Sequence, residues 1–246
     1  MKNIITITSL LAAATVANAK LVEYVWDKVP QTHVSGDAPA TWSVSDNALS
    51  WTSESLWSVA LTVGSDAFTS GATSFTLLSL ENTNDQTYSG LSGITVQDNI
   101  LTMPFPDDTA ANTEQTISSI ATGKKDLTFV FNRGESNTPS ISVYADGNFS
   151  SEILNVIASS YSYPGGTINS LVFGGTSNIN SLTSEFPTNN KAGVFNLLGA
   201  AYWTGGNADE AALKKYYKSA VPEPSAFGLL AGLGALALVG ARRRRR

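Results

Sequence analysis

The chain contains no cysteine, so no disulfide framework and no lipid-modified cysteine anchor can be built from it. Histidine is almost as scarce. His33 is the single copy, between Pro30 and Gly36. With no second histidine and no cysteine to complete a metal site, it reads as an ordinary loop residue. A Ser-His-Asp triad would have to use that same side chain, and no Gly-x-Ser-x-Gly elbow is present to expose a serine. Also missing is the Glu-x-Asp-x-x-Glu strand with which a jelly-roll glycosidase sets two carboxylates on one face of its cleft. Glu81 with Asp85, and Asp107 with Asp108, sit in turn-like sequence, and Asp146 and Glu152 read as solubilising charge. Regular Thr-x-Thr ladders are absent too, which argues against an ice-binding surface. These absences lead to the expectation of a non-enzymatic protein.

Basic charge is scarce and unevenly placed. Of fifteen Lys and Arg residues, Lys2 and five arginines lie at the two ends, leaving nine against twenty acidic side chains, a net charge of −11. An acidic body cannot displace counterions from a polyanion, so no nucleic-acid partner is expected. Such a body matches anionic membrane surfaces poorly. It suits neutral sugars, cations, or simple solubility outside a cell.

What is present is β texture. Ser and Thr abound, and short β-branched or aromatic runs recur between Gly, Asn, Asp and Pro: 21–26, 56–63, 74–80, 127–131, 140–144, 169–173 and 193–203. Trp57 to Val63 alternates apolar with polar, as a strand with one buried face does. The spacing of runs and turn signals predicts an all-β sandwich or barrel. One helix is expected near residue 208, capped by Asn207 with Glu210 completing a capping box. Leu213, Tyr216 and Tyr217 would form its packing face, and Lys214, Lys215 and Lys218 would complement its dipole.

The two ends carry targeting signals. Lys2, the apolar Ile4 to Val16 and the small-x-small site Ala17-Asn18-Ala19 form a secretory signal peptide over 1–19. The last residues hold three parts in order: Val221-Pro222-Glu223-Pro224, an apolar stretch Ala226 to Ala241, and Arg242, Arg243, Arg244, Arg245 and Arg246. The apolar stretch can enter a bilayer as a helix, while the arginines stay on the cytoplasmic side and stop transfer. Its sixteen residues fall short of the roughly twenty of a stable span, which favours transient insertion. This arrangement over 221–246 resembles the PEP-CTERM sorting signal of Gram-negative bacteria. The resemblance implies export through the translocon and signal peptidase, transient anchoring in the inner membrane, and processing near Pro-Glu-Pro by an exosortase-type membrane protease. Delivery would be to the cell surface or the extracellular matrix.

Within the body, 20–220, a second resemblance covers about 126–218. Asp126 to Arg133 is followed by Tyr144-Ala145-Asp146-Gly147, then Val172-Phe173-Gly174-Gly175, then Ala201-Tyr202-Trp203 with the helix after it. This order is similar to laminin-G-like, concanavalin-A-like lectin domains: a Tyr-x-x-Gly hairpin, a strand ending in Gly-Gly, and a last strand before a closing helix. Asp146-Gly147 favours a type I′ turn, and Gly174-Gly175 permits a sharp turn at a strand end. The resemblance implies a jelly-roll-type antiparallel β-sandwich with one short C-terminal helix, probing glycans or extracellular polysaccharide without catalysis. A purely structural surface protein and a glycan-active hydrolase stay open as alternatives.

Candidate ligand contacts follow from residue chemistry. Indole rings stack on apolar sugar faces. Trp57 and Trp203 fall within apolar strands and read as core, whereas Trp42 and Trp51 flank the hairpin-like Asp46-Asn47 and are the candidate glycan contacts. Ca²⁺ prefers oxygen ligands, and Asp98, Asn99, Asp107 and Asp108 are candidates for a rim site, although Asp- and Asn-rich turns commonly hold no metal. No other cofactor is expected. Asn148-Phe149-Ser150 matches a glycosylation sequon, read as chance.

Overall fold

The computed structural model describes residues 22–25, 40–44, 49–50, 56–69, 75–81, 92–97, 99–102, 116–134, 139–157, 167–174 and 195–221. The expected signal peptide, the apolar stretch 226–241 and the arginine cluster lie outside these residues. Among the described residues no helix is long and apolar enough to cross a membrane.

The strands are β1 (Val22–Val25), β2 (Ala40–Ser43), β3 (Leu49–Ser50), β4 (Trp57–Gly64), β5 (Phe75–Glu81), β6 (Ser92–Gln97), β7 (Ile100–Thr102), β8 (Asp126–Asn132), β9 (Ser140–Ala145), β10 (Leu154–Ile157), β11 (Thr167–Ile168), β12 (Ser170–Phe173) and β13 (Leu197–Thr204). Among the described residues three helices join them: α1 (Asp66–Thr69), α2 (Ile117–Ala121) and α3 (Glu210–Ala220). Two antiparallel sheets result, one of six strands in the order β1-β13-β4-β8-β9-β10 and one of five in the order β2-β12-β5-β6-β7, beside a small β11-β3 pair. The all-β sandwich is therefore observed. Each of the seven expected strand regions holds a strand.

The core lies between the sheets. Alternate residues of the six-stranded sheet enter it: Trp57, Val59, Leu61 and Val63 from β4, and Leu127, Phe129 and Phe131 from β8. The five-stranded sheet answers with Leu78, Leu80, Ile94, Val96, Leu171 and Phe173. Trp57 stacks on Phe131 at 5.7 Å and donates its indole N–H to the Ser50 carbonyl at 2.9 Å, so the polar edge of the buried ring is satisfied. Phe68 of α1 packs on Phe129 at 5.6 Å, and Ile117 and Ala121 of α2 are buried beside them, which closes one end of the sandwich.

The outer face of the six-stranded sheet is covered as well. Alternation in β4 predicts one buried face, yet every residue of that strand is buried. The reason is α3. Its Leu213, Tyr216 and Ala220 form a second apolar cluster with Ala60, Val130, Phe149, Ala201 and Trp203. Ser58 and Thr62 are thus polar residues beneath a helix and not residues in water. The cap also differs from expectation. Asp209, not Asn207, is the N-cap, its carboxylate accepting from the Ala212 N–H at 2.8 Å. Helix α3 starts at Glu210, three residues after Asn207.

Asp146 and Gly147 adopt φ 53° and 69°, with the Asn148 N–H bonded to the Ala145 carbonyl at 2.9 Å. This is the left-handed pair that a type I′ turn requires. Gly174, φ 77°, ends β12 as its sequence position suggested.

Candidate functional site

The seat of α3 is where the fold meets the C-terminal motif. Three strands supply it from residues that alternate with the core set. Gly199 of β13 has no room for a side chain, because a Cβ there would collide with Ala220. That vacancy lets the last turn of α3 lie close on the sheet. Beneath the same turn the Thr62 hydroxyl meets both Thr128 Oγ1 and the Tyr216 hydroxyl at 2.9 Å, so two strands and the helix share one buried polar junction. Burial pushes the Tyr216 phenol well above its ordinary pKa. Tyr217 donates its hydroxyl to Asp126 Oδ2 at 2.8 Å. Asp126 is 4% exposed, and its Oδ1 is buried with no hydrogen-bond partner. Desolvation raises its pKa. The Tyr217 hydrogen bond opposes that rise, Asp146 adds to it, and Lys125 opposes it. The helix ends on Val221, whose N–H reaches the Tyr217 carbonyl at 2.8 Å and whose side chain packs on the second cluster. Pro222 follows in sequence, with no N–H to extend the helix.

A second polar group sits on β9 and the turn before β10. The Glu152 carboxylate accepts from Ser142 Oγ at 2.8 Å, the Tyr144 hydroxyl at 3.1 Å and Asn155 Nδ2 at 2.7 Å. Burial and the neighbouring carboxylate push Tyr144 up to about 12. Glu152 therefore pins the hairpin instead of serving as free solubilising charge. Asp146 is engaged too, taking the Lys125 N–H at 2.8 Å.

The third feature is the outer face of the five-stranded sheet. Cross-strand pairs place Ser43, Ser170 and Glu81 in one row, Thr41, Val172, Ser79 and Gly93 in the next, and Thr76 with Thr95 in a third. Thr41 and Ser43 are exposed, while Ser79, Thr76, Thr95 and Ser170 are buried. Thr76 Oγ1 and Ser79 Oγ have no hydrogen-bond partner. Burial raises the Glu81 carboxyl pKa, and the Ser79 hydroxyl on the same face opposes it without closing a bond of good geometry. Glu81 ends a strand, and does not sit in the turn where sequence placed it.

Of the predicted ligand residues, Trp42 and Asn99 are described. Trp42 is half-buried on the core side of β2, its ring 5.0 Å from that of Tyr202. The expectation of an exposed indole is corrected, because alternation sends Ala40, Trp42 and Val44 inward and Thr41 and Ser43 outward. Its flanking hairpin is corrected as well: β2 pairs with β12 and β3 with β11, in different sheets. Trp57 and Trp203 are fully buried, as read from sequence, with Trp203 lying under α3. Trp51, His33, Asp98, Asp107 and Asp108 lie outside the described residues. Asn99 is described, at φ 64° with its carbonyl bonded to the Ile117 N–H. Among the described residues no three His, Asp or Glu side chains converge on a metal position. Sequence showed the packing face of α3, Leu213, Tyr216 and Tyr217, but missed its seat on the sheet. Its one visible sign was Gly199 inside an aliphatic run just before a helix.

Residues 220–245 match the PEP-CTERM protein-sorting motif. No curated protein sequence matches the chain. Solved structures similar to it include a Trypanosoma rangeli sialidase in complex with the inhibitor DANA, at 12% identity and TM-score 0.43 over 75% of this chain and 26% of that one. The LG1-3 region of the laminin alpha2 chain aligns at 16% and 0.45 over 69% and 31%. The botulinum neurotoxin serotype D binding domain aligns at 11% and 0.46 over 83% and 47%. The chain thus spans between a quarter and a half of these proteins. Laminin G domains, which are concanavalin-A-like, are among its structural neighbours. The sorting motif marks an exported protein.

Proposed function

We propose that this is an exported surface or matrix protein whose sandwich is carried to the outer side of the inner membrane, held there by the 226–241 segment and the arginines behind it, and processed near Pro222-Glu223-Pro224 by an exosortase-type protease. The observation that carries this reading is position. The matched motif starts at Ala220, inside the last turn of α3, and that turn is docked on the sandwich. The last described helix of the body therefore meets the first residue of the sorting signal. Intact mass of the surface-recovered protein tests it. A chain lacking both 1–19 and the residues after the Pro-Glu-Pro is expected, and Glu223→Ala should block the second loss. An unchanged mature mass and unchanged release in that variant would remove Pro-Glu-Pro as a protease signal.

For the body we propose non-enzymatic binding of neutral polysaccharide at the exposed hydroxyls of Thr41 and Ser43 on β2, beside the half-buried Glu81 at the end of β5. What supports this is chemistry: serine and threonine hydroxyls beside one carboxylate suit sugar hydroxyls, and the acidic body suits an uncharged polymer. Saturable binding on a glycan array, lost in the surface variant Thr41→Lys/Ser43→Lys, is the expected result. Absence of binding would leave a structural protein, and release of reducing sugar would replace a binder with a hydrolase.

A further inference from the structure

The seat of α3 also fixes which end of the sandwich lies towards the membrane. The end of β4 at Gly64 pairs with the start of β8 at Asp126, and Leu127 pairs with the end of β9 at Ala145, so these strand ends share one side. The start of β13 joins them there, through Leu197 opposite Val63. Helices α1 and α2 close that side, tied by the Ser65 hydroxyl to the Lys124 carbonyl and by the Ser65 N–H to the Lys125 carbonyl. The last turn of α3 comes down on the same side, Ala220 against Gly199 and Tyr217 over Gly147. The chain leaves the body here, and only Pro222 to Ser225 separate Val221 from the apolar segment. Five Cα steps reach no more than about 18 Å. Roughly 5–8 Å of that is taken up by the headgroup layer. The eight-residue strand β4 alone is about 26 Å long, so the tether is shorter than the body it holds.

Resting on the sorting reading above, we infer that while the tail is inserted the α1/α2 end of the sandwich sits on the phospholipid surface, with Lys124, Lys125 and Lys218 against the headgroup phosphates. Charge orients the contact. Among the described residues these three lysines are exposed beside the exposed acids Asp66, Asp146 and Glu152, so this end is balanced in charge on an otherwise acidic body. At the opposite end α3 opens with the exposed Asp209 and Glu210. The body as a whole is strongly acidic and is repelled by a phosphate-bearing surface, so a sideways pose is disfavoured while the lysine-bearing end is admitted. Screening within roughly 8–10 Å keeps the attraction local to the residues that touch. Nothing in this contact requires the isolated body to bind membranes. It is a docking surface made effective by the tether.

The lack of native cysteine makes the test clean. Full chains carrying Thr122→Cys or Ala211→Cys, both exposed positions, would be labelled with a fluorophore and reconstituted in vesicles of phosphatidylethanolamine and phosphatidylglycerol containing a headgroup quencher. Quenching about threefold or more stronger at position 122 than at 211 is expected, because the two ends lie about a strand length apart, roughly 26 Å. Adding Lys124→Glu, Lys125→Glu and Lys218→Glu should bring the two values together while the chain stays vesicle-bound. Equal quenching at both positions in the parent chain would overturn the orientation, and a triple variant that quenches like its parent would overturn the role of the lysines. Should the chain fail to associate with vesicles at all, tail insertion itself is refuted, a result distinct from the other two.

Discussion

At the scale of single residues, Asp126 shows most clearly what docking a helix onto a sheet costs. One carboxylate oxygen takes the Tyr217 hydroxyl and the other is buried without a partner. Desolvation therefore raises its pKa in the fold. Between the ordinary aspartate value and the raised one, the folded chain binds more protons than the unfolded chain, so stability from this group rises as pH falls through that window. At neutral pH the charged form is a liability. Asp126→Asn keeps an acceptor for Tyr217 and removes the charge, so its melting temperature should exceed the parent's at neutral pH. The difference should shrink as pH falls through the raised value. Glu81 shifts in the same direction and keeps part of the acid-side slope in the variant. Thermal denaturation followed from neutral into acid pH checks this, and a variant less stable than the parent at neutral pH would contradict it. Thr62 makes the complementary case. Its hydroxyl serves Thr128 and Tyr216 together. Thr62→Val leaves both partners short of a bond in a dry site and should cost about 1–3 kcal/mol by denaturant unfolding.

At the scale of elements, two glycines separate backbone cost from packing cost. Gly123 and Gly147 both have left-handed φ, 76° and 69°. A Cβ on Gly123 would meet nothing within 4 Å, whereas one on Gly147 would lie 2.5 Å from Tyr217 Cε1. Gly123→Ala should therefore show the conformational penalty alone, about 1 kcal/mol. Gly147→Ala should add the displacement of α3, for a total of about 2–4 kcal/mol, and should increase hydrogen exchange in α3 itself. Equal losses in the two variants would mean that α3 is not clamped there. The same element explains how far sequence could reach. Strands β4, β8, β9 and β13 are legible because each carries three or more apolar residues in period two. The Asp146-Gly147 turn is legible because its chemistry is local. Strands β3 and β11 have two residues each, β10 has four, and β6 offers only Ile94 and Val96 to the core, too little pattern to stand out. Burial of Ser58 and Thr62 could not be read at all, since it depends on a helix some 150 residues away. The Asn207 cap failed for a local reason: Asp209 offers the same chemistry two residues closer to the first helical turn. Trp42 failed because its side of the sheet is set by pairing with β12, a partner that its own neighbourhood does not reveal.

At the scale of the whole molecule, unequal charge flanks a short apolar segment. As a helix, the sixteen residues 226–241 would span about 24 Å. The hydrocarbon core is about 30 Å thick, so on the sorting reading proposed above the segment would fit only by thinning the bilayer or by drawing its flanks inward. Such a plug would be easily dislodged, and on that reading what holds it is the mismatch between its neighbours. On one side are five arginines, each costing about 2.5–3.5 kcal/mol to bring to the bilayer centre on a translocon scale. On the other is a folded sandwich whose last helix stops one residue before Pro222 and cannot be drawn inward without undocking Ala220 from Gly199. Replacing Arg242 to Arg246 with glutamine should remove the first barrier and leave the second. The tail should then pass through, and the uncleaved chain should be recovered on the outer side, free of the membrane. A single cysteine appended after residue 246 reports the outcome directly, because the chain has no other thiol. In the parent chain a membrane-impermeant maleimide should not reach it before processing. In the glutamine variant it should. Continued protection of that cysteine would show that the arginines do not hold the tail, and that the anchoring force lies in the apolar segment alone.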